Sequence, residues 1–260
     1  WQAGDRGKTC GFSALWSDIG KLYYAGQGWH PFPSVHFEFP PVSLSVRSDS
    51  AQLQFLESEE LKELCEQDEL RIRQSMAQAR DGKTHICITP DHEHMKWHHV
   101  REDFMCNKIF GKQPIVRGAI MGERGHRVWA VWTRNFYGPV GNTSSGNTLH
   151  ILRLVIEDEA LESSSSSKTS GALPHGTLLD EQAHHLKAII QVAQAQALEW
   201  SLRHVELWNP TPLVQSIVQR TDLQYSKVER ESESIPMLMW YGEGEIDDLE
   251  WVGNEKYGWC

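Results

Sequence analysis

The chain has 260 residues, of which 40% are hydrophobic and 23% are charged, and its formal net charge is −10. This composition suits one or two globular domains with real cores and excludes a disordered or fibrous protein. The acidic balance argues against a nucleic-acid partner, because a phosphate backbone is bound by clustered Lys and Arg. No apolar run approaches the roughly 18 residues that span a bilayer, so we expect no membrane partner.

The five cysteines are odd in number, widely spaced and never arranged as CxxC. This pattern argues against a disulfide framework or a zinc site and predicts a reducing, cytoplasmic location. The chain begins at Trp1 rather than Met, so we expect these residues to be the tail of a longer protein. Any targeting signal would then lie upstream.

The opening segment, FSALWSDIGKLYYAGQGW, combines a strand pattern with a helix pattern. Residues 12–17 alternate as a strand does. Ser17 and Asp18 are good N-cap residues, and they predict a short helix over 19–24. Gly28 helps to end that helix.

The rest of the chain predicts an α+β fold in which strands and helices both contribute to the core. Alternating or apolar runs of four to ten residues indicate strands, and apolar residues at helical spacing indicate helices. In chain order these patterns predict strand 34–39, helix 52–80, strand 84–89, helix 93–109, strands 115–121, 127–136 and 148–157, helix 180–202, strand 204–208, helix 212–220, and strands 225–231 and 237–241.

Two short segments of the chain are alike. Residues 15–18 read LWSD and residues 207–210 read LWNP, and in both cases a strand precedes the motif and a short helix follows it. This likeness indicates two related units in tandem.

The end of the opening segment, from Tyr24 through Gly28 to Trp29, resembles the Tyr-x-x-x-Gly-aromatic ending found in the GNAT superfamily of N-acetyltransferases. The resemblance implies that Tyr24 is the general acid. A Tyr hydroxyl, with a pKa of about 10, stays protonated at neutral pH and can donate to a departing thiolate. The same resemblance places Ser17, Asp18 and Tyr23 beside the arm of the acyl donor. The alternative is that both Tyr rings only pack the helix onto the sheet.

The resemblance extends over nearly the whole chain. LWSDIGKLYYAGQGW is similar to the corresponding segment of the fungal lysine N-acetyltransferase family, and WHHVREDF, GAIMGERGHRVWAVWTRNFYG, NTLHILRLVIED, VELWNPTP and the final WVGNEKYGWC are similar to that family's second domain. It implies a GNAT-like mixed or antiparallel sheet flanked by helices, preceded by a truncated GNAT C-terminal half. The predicted division is 1–47 for the end of the acetyltransferase domain, 48–82 for a helical linker, and 83–260 for a second GNAT-like domain with a disordered Ser-rich loop at 162–176.

The sequence departs from the superfamily at two points. No Arg/Gln-x-x-Gly-x-Gly/Ala loop, which would hold a pyrophosphate at a helix start, is found in either unit. The catalytic domain's own copy of this loop should lie upstream of Trp1. In the second unit, the predicted helix 212–220 has no Tyr, and the acidic pair Asp158 and Glu159 would repel a pyrophosphate. The second unit therefore resembles a degenerate, non-catalytic copy.

The resemblance implies an N-acetyltransferase that moves acetyl from acetyl-CoA, the cosubstrate, to the side-chain amine of a free amino acid, L-lysine, in lysine catabolism. This fragment alone is expected to be inactive. Glu255, with its neighbours Lys256 and Tyr257, is a candidate for binding the zwitterionic substrate. The alternative is a non-catalytic GNAT-like binding or regulatory module. The oligomeric state is open.

A second possible site in the sequence is a metal site. Residues 91–94 read DHEH, with His98 and His99 close behind, and His can bind zinc at such spacings. No HExxH motif accompanies them, and the run spans the junction of a loop and a helix. The sequence therefore indicates that this run is polar and exposed to solvent, and it predicts no metal.

Overall fold

The computed structural model describes residues 10–43, 52–142, 145–157 and 175–259. Within these ranges the fold is mixed α+β, as the sequence predicted. The strands are β1 (Phe12–Ser17), β2 (His30–Pro31), β3 (Val35–Phe39), β4 (Gln54–Leu56), β5 (Thr84–Cys87), β6 (Gly118–Met121), β7 (Val128–Asn135), β8 (Thr148–Ile156), β9 (His204–Trp208), β10 (Ser226–Glu229), β11 (Ile235–Trp240) and β12 (Leu249–Val252), and the helices are α1 (Leu22–Ala25), α2 (Leu61–Gln78), α3 (His92–Phe110), α4 (His175–Glu199) and α5 (Pro212–Gln219).

The largest sheet has seven strands in the order β10-β3-β9-β8-β7-β6-β4. Its neighbours are antiparallel except for β8 and β9, which run parallel. A parallel pair needs a crossover connection, and α4 lies between these two strands in the chain. The sheet is therefore the mostly antiparallel, helix-flanked sheet expected of a GNAT-like fold.

Helices cover both faces of this sheet. Because successive strand residues point to opposite faces, β7 sends Ala130 and Trp132 to one face and Trp129 and Val131 to the other. The first face packs against α4 and α5, and the second packs against α2 and the start of α3. All eight residues of β7 are buried, as expected for a strand that is covered on both sides.

Two strands are exchanged between sheets. The chain passes from β2, in a three-stranded sheet, to β3, which lies between β10 and β9 in the seven-stranded sheet. In return, the chain passes from β10 to β11, which lies between β1 and β2. We call the three-stranded sheet with α1 the first unit and the seven-stranded sheet with its helices the second unit. Each unit thus holds a central strand that follows the other unit's edge strand in the chain.

This topology bears on the predicted domain boundaries. The seven-stranded sheet contains β3, which lies within the predicted range 1–47, and β4, which lies within the range 48–82. A further two-stranded sheet pairs β5 with β12 in parallel. The boundaries between sheets therefore do not coincide with the boundaries predicted at 47/48 and 82/83.

Several elements differ from their predictions for local reasons. The helix predicted over 19–24 shrinks to α1, because Gly20 takes a left-handed φ of +80°. The helix predicted over 52–80 starts only at Leu61, since β4 uses the preceding residues. The strands β2 and β12 were not predicted, and both are short. The helix α4 begins at His175, within the Ser-rich loop predicted at 162–176, and residues 162–174 of that loop lie outside the described residues.

Among the described residues, no helix is both long enough and apolar enough to cross a membrane. The described cysteines, Cys10, Cys65, Cys87 and Cys106, are all free thiols. Burial raises the pKa of Cys65 and of Cys106 to about 12, so neither is a reactive thiolate at neutral pH.

The exchanged strand β11 should be a major source of stability. Leu238 is fully buried in the cluster that joins β1 to β5 and β12. We expect Leu238→Ala to lower the free energy of unfolding by about 2–5 kcal/mol, because it leaves a cavity. Leu22→Ala is the matched control, since Leu22 is 88% exposed and its loss should change stability by less than about 0.5 kcal/mol. Urea denaturation followed by Trp fluorescence measures both, and equal midpoints for the two variants would contradict the assigned role of β11.

Candidate functional site

The strand-turn-helix of the opening segment forms as one compact unit. Ser17, at the end of β1, is 1% exposed, and its hydroxyl donates to the carbonyl of Gly20 over 2.7 Å. The same oxygen accepts from the amide of Ile19 at 3.3 Å. Ser17 therefore closes the turn after β1, whereas the N-cap position of α1 is occupied by Lys21. The predicted N-cap role of Ser17 and Asp18 is wrong, because Gly20 separates them from the helix.

Asp18 ties the same turn to the start of β11. Its carboxylate accepts from the backbone amide of Ser234 at 2.9 Å and lies 3.3 Å from that residue's hydroxyl. Ser234 has a left-handed φ of +49°, which is uncommon for a residue with a side chain. Asp18 thus fixes the position where β11 enters the first unit, and it remains exposed to solvent.

Tyr24 is held by the exit of α1. Its carbonyl accepts from the amides of Gln27 and Trp29 at 2.9 and 3.0 Å. Its ring packs edge-on against Tyr23 at 5.1 Å and Trp29 at 6.3 Å between centroids. Gly28 has a φ of +89°, which permits the tight reversal that brings Trp29 back to Tyr24.

The hydroxyl of Tyr24 has no hydrogen-bond partner in the part of the chain that the structure describes. Tyr23 is 60% exposed. Ser17 and Asp18 thus bind the turn after β1 and Ser234, whereas Tyr23 packs on Tyr24, and the predicted roles of all four toward an acyl donor stay predictions. Packing of the rings, the alternative for the Tyr pair, is present between Tyr23, Tyr24 and Trp29, and it leaves the Tyr24 hydroxyl free to donate.

A wedge opens in the second unit between β8 and β9. The two strands pair only from Thr148 with His204 to Ile151 with Leu207, although β8 continues to Ile156. The register of β8 against β7 shifts at the same level, so Leu152 is an extra residue on β8. Such a bulge bends its strand and ends regular pairing. The backbone of β8 beyond Ile151 must therefore find other partners on the β9 side.

The C-terminal segment 254–258 supplies those partners. Glu255, 7% exposed, accepts from the amide of Leu154 in β8 at 3.1 Å and pairs with the guanidinium of Arg153. On the other side of the wedge, the side chain of Asn209 donates to the carbonyl of Asn254 over 2.6 Å. The segment thus bridges the diverging strands and closes the deep end of the wedge.

Tyr257 is also fully engaged inside the protein. Its hydroxyl donates to the carbonyl of Ile88 over 2.6 Å, and its own carbonyl is 3.1 Å from a ring nitrogen of His98. Burial and nearby negative groups raise its pKa well above the ordinary Tyr value. Glu255 and Tyr257 therefore have structural contacts in the second unit, and their predicted binding of substrate stays a prediction.

Lys256 points away from these two neighbours. It is 1% exposed, and its ammonium lies 4.3 Å from the ring centroid of Trp208 and 3.6 Å from that of Trp259. No carboxylate of the described residues lies within ion-pair distance of it. Burial lowers its pKa to about 7, so this amine, which has no anionic partner among the described residues, changes charge near neutral pH.

The buried groups beside Lys256 form a network that the sequence did not predict. Glu206 in β9 lies 2.7 Å from a ring nitrogen of His204 and 3.2 Å from one of His150, and it accepts from the indole of Trp208 at 2.9 Å. Burial favours the neutral acid, but these partners hold the pKa of Glu206 well below its usual range. The signal in the sequence was the alternation of His204, Glu206 and Trp208, which places all three side chains on one face of β9.

Part of this network has the composition of a metal site. One ligand atom each from His36, Glu38 and Glu206 lies within 4.8 Å of the others. The Arg230 guanidinium, however, lies 3.4 Å from Nδ1 of His36 and can only donate, so Nε2 carries the proton toward Glu38. A protonated ring nitrogen cannot ligate a metal, so this donor set does not fit one.

The His-rich run singled out in the sequence has a structural role. Asp91 is the N-cap of α3 and accepts from the amide of His94 at 3.0 Å. His98 and His99 are both buried, and burial lowers the pKa of each. Their rings contact the backbone carbonyls of Tyr257 and Trp132 at 3.1 and 3.0 Å. The run therefore positions α3 against β7 and the C-terminal segment.

A cavity of about 660 Å³ lies at the mouth of the wedge. It is lined by β2, α2, the start of α5 and residues 246–255. Arg153 at its base is bound bidentately by Asp68, at 2.8 and 3.0 Å, and by Glu255. The charges at the deep end thus satisfy one another, and the cavity stops where the C-terminal segment begins.

Comparison with known proteins gives one match. The family model described as "LYC1 GNAT-like C-terminal domain" matches residues 36–260. No curated protein and no solved structure matches the chain. The matched range begins after Trp29, so it covers the second unit together with β11 and β12 and leaves out the strand-turn-helix that holds Tyr24.

The lowered pKa of Lys256 predicts that the free energy of unfolding depends on pH. Its pKa is about 7 when folded and 10.5 ordinarily, so between these pH values the unfolded chain holds a proton that the folded chain has lost. The free energy of unfolding therefore rises as the pH increases from 7 to 10.5, and this group causes no further change below pH 7, where Lys256 is protonated in both states. Relative to Lys256→Met, the unchanged chain should gain about 2 kcal/mol in unfolding free energy from pH 7 to pH 9.

Urea denaturation at pH 7, 8 and 9 measures this gain. Lys227→Met is the control, because Lys227 is exposed on β10 and its removal should leave the pH dependence unchanged. The same slope with pH in the Lys256→Met variant and in the unchanged chain would show that Lys256 is not held in a desolvated state.

Proposed function

The chain belongs to the family of LYC1 GNAT-like C-terminal domains, and on this basis we propose that it is the C-terminal part of an acetyl-CoA-dependent N-acetyltransferase. In this proposal residues 1–47 end the catalytic domain, and the second unit is a non-catalytic GNAT-like domain. The acceptor is the side-chain amine of a free amino acid, for which L-lysine is the candidate, and the enzyme works in the cytoplasm.

One observation carries this proposal. Tyr24 stands at the end of a strand-turn-helix whose exit glycine and aromatic residue hold it in place, and its hydroxyl has no partner in the described part of the chain. Acetyl transfer needs a proton for the departing thiolate of coenzyme A. Tyr24 would supply that proton after the neutral amine of the acceptor has attacked the thioester carbonyl. The carbon–sulfur bond breaks and the proton then rests on the sulfur, while the proton that the nitrogen loses as the amide forms returns to the phenolate of Tyr24.

The second unit supports the division of labour. A gap between two diverging strands exposes unpaired backbone groups to which an acyl donor could bind. Here two residues close the gap between β8 and β9. The carboxylate of Glu255 accepts a hydrogen bond from the amide of Leu154, and the carbonyl of Asn254 accepts one from the side chain of Asn209. The helix that follows β9, α5, carries no Tyr. These features support a structural role for the second unit, without acetyl transfer.

The second candidate is a non-catalytic binding or regulatory module. The closed wedge favours it for the second unit, and the family match does not cover Tyr24. The two candidates differ in the upstream half. A transcript that encodes a strand followed by Arg/Gln-x-x-Gly-x-Gly/Ala some tens of residues before Trp1 would support the enzyme, because backbone amides at a helix start hold the pyrophosphate.

Tyr24→Phe should separate the enzyme from the module. In the protein that includes the upstream half, we expect this change to lower kcat by about 10²- to 10⁴-fold, since general acid catalysis contributes that much. The KM for the acceptor should change little. Tyr241→Phe is the control, because Tyr241 is exposed after β11 and has no assigned role toward donor or acceptor, and this variant should retain kcat. Acetylation of lysine followed by mass spectrometry gives both numbers, and an unchanged kcat in Tyr24→Phe would refute the assigned role.

Residues 1–260 alone should bind coenzyme A weakly or not at all. The wedge of the second unit is closed, and no pyrophosphate loop is found in the sequence of either unit. Isothermal titration of this chain with coenzyme A should therefore give no saturable heat. Micromolar binding would mean that the C-terminal segment leaves the wedge or that the cofactor has another site.

A further inference from the structure

Arg101 differs from its neighbours in how its charge is used. Glu102, the next residue on α3, is fully buried between the guanidinium groups of Arg117 and Arg134. Arg101 is partly exposed and has no carboxylate within ion-pair distance among the described residues. An oriented arginine without an anion is available to a ligand.

The orientation of Arg101 comes from Asn135 at the end of β7. The side-chain oxygen of Asn135 accepts from the guanidinium at 2.6 Å, and its nitrogen donates to the hydroxyl of Tyr137 over 3.0 Å. Asn135 is 1% exposed, so one buried amide fixes both groups. The bond uses one of the five N–H groups of the guanidinium and leaves the others.

The helix face that carries Arg101 meets the C-terminal segment. His98 lies three residues earlier on α3, and residues three apart share one face of a helix. The ring of His98 contacts the carbonyl of Tyr257 at 3.1 Å, so this face lies against residues 255–258. The two buried ion pairs of Glu102, with Arg117 and Arg134, hold the same turn of α3 in place.

Lys256 is the second cation at this place. Its ammonium lies between Trp208 and Trp259 and has no ion pair in the described part of the chain. Burial lowers the pKa of Lys256 most; among the charges, Glu206 and Asp18 raise it and Arg230 and Arg101 lower it, so four charges act on the ammonium. Two cations that repel each other at a common position are stabilised by an anion that both can reach.

This position lies beside the opening segment. A Cβ added to Gly258 would come within 3.2 Å of the Trp16 ring, so the C-terminal segment packs directly on β1. Trp16 comes two residues before Asp18, at the end of β1 from which the turn leads to Tyr24. The segment that carries Lys256 therefore packs against the end of the strand that precedes the proposed acid.

We propose that Arg101 and Lys256 form the site that binds the α-carboxylate of the amino-acid acceptor. The second unit thereby supplies substrate recognition to the catalytic half. This inference rests on the proposed function and names the side chains that select a free amino acid over a simple amine. Asn135 is a positioning residue, because it acts by orienting Arg101 and the Tyr137 hydroxyl.

The chemistry suits a carboxylate. A guanidinium binds a carboxylate through two parallel N–H bonds, and the adjacent ammonium adds a charge-assisted bond. The anion would also remove the mutual repulsion of the two cations. A lysine residue within a protein has its α-carboxyl group in an amide bond, and a diamine has no carboxyl group. The site would therefore discriminate against both.

The experiment compares lysine with lysinamide, in which a neutral amide replaces the carboxylate. In the protein that includes the upstream half, we expect KM for lysinamide to exceed KM for lysine by about 10- to 100-fold, the value of bonds to a charged group. Arg101→Gln keeps a donor for Asn135, so it should fold, and it should bring the ratio of the two KM values close to one with kcat largely retained. Arg203→Gln is the control, because Arg203 is exposed at the start of β9, the opposite end from Trp208, and should keep the full ratio.

Binding by residues 1–260 is tested separately, because it needs no turnover. Ligand-observed NMR with lysine and lysinamide should show contact of lysine with the unchanged chain and with Arg203→Gln, and its loss in Arg101→Gln. If lysine binds but no acetyl is transferred by the longer protein, the proposed function fails and the site stands. If Arg101→Gln leaves the lysine-to-lysinamide ratio unchanged, or if lysine does not bind the chain, the carboxylate site is overturned.

Discussion

The divergence of β8 from β9 is the constraint on which much of this structure depends. Once the extra residue Leu152 ends the pairing, the backbone of β8 has amides that water cannot reach and that must be satisfied. Glu255 accepts a hydrogen bond from one of them, and its carboxylate pairs with Arg153, whose guanidinium also binds Asp68. The C-terminal segment is therefore held by the sheet's own unfinished hydrogen bonding. Its position then places Lys256 and Tyr257 on opposite sides of the wedge.

The exchange of β3 and β11 makes the two units one cooperative body. Each sheet contains a central strand that the chain reaches from the other unit's edge strand, and Asp18 fixes the entry of β11 through Ser234. A site made from residues of both units can then hold its geometry without relying on a flexible interface. This gives a physical reason for the two units to stay together.

Much of the fold was readable from the sequence. Runs such as Val128–Asn135 and the helix that ends at Glu199 have periodicities that tertiary contacts did not override. The exchange was not readable, because a strand pattern gives the faces of a strand and says nothing of which edge it joins. The strands β2 and β12 are too short to show a pattern, and they exist because β11 and β5 offer open edges.

The candidate site was predicted in part for similar reasons. The Tyr24 segment is continuous in the chain, so its residue order carries the information. Ser17 was assigned to the wrong cap because a left-handed Gly20 cannot be told from a helical one by composition. Arg101 is one charged residue on a charged helix face, and only the contacts of Asn135 and of Glu102 distinguish it. Glu255 and Tyr257 were singled out for their residue types, and the wedge that engages them depends on residues about a hundred positions away.

The pairing of β1 with β11 has a consequence for biosynthesis. Phe12 and Trp240 are partners in the same ladder although more than two hundred residues separate them. During translation β1 emerges long before its partner exists, and Phe12, Leu15 and Trp16 must wait with an open strand edge. Such non-local pairing slows folding, because the closure of a long loop precedes any gain from contacts. The strand β1 therefore cannot complete its sheet until residues 235–240 have left the ribosome.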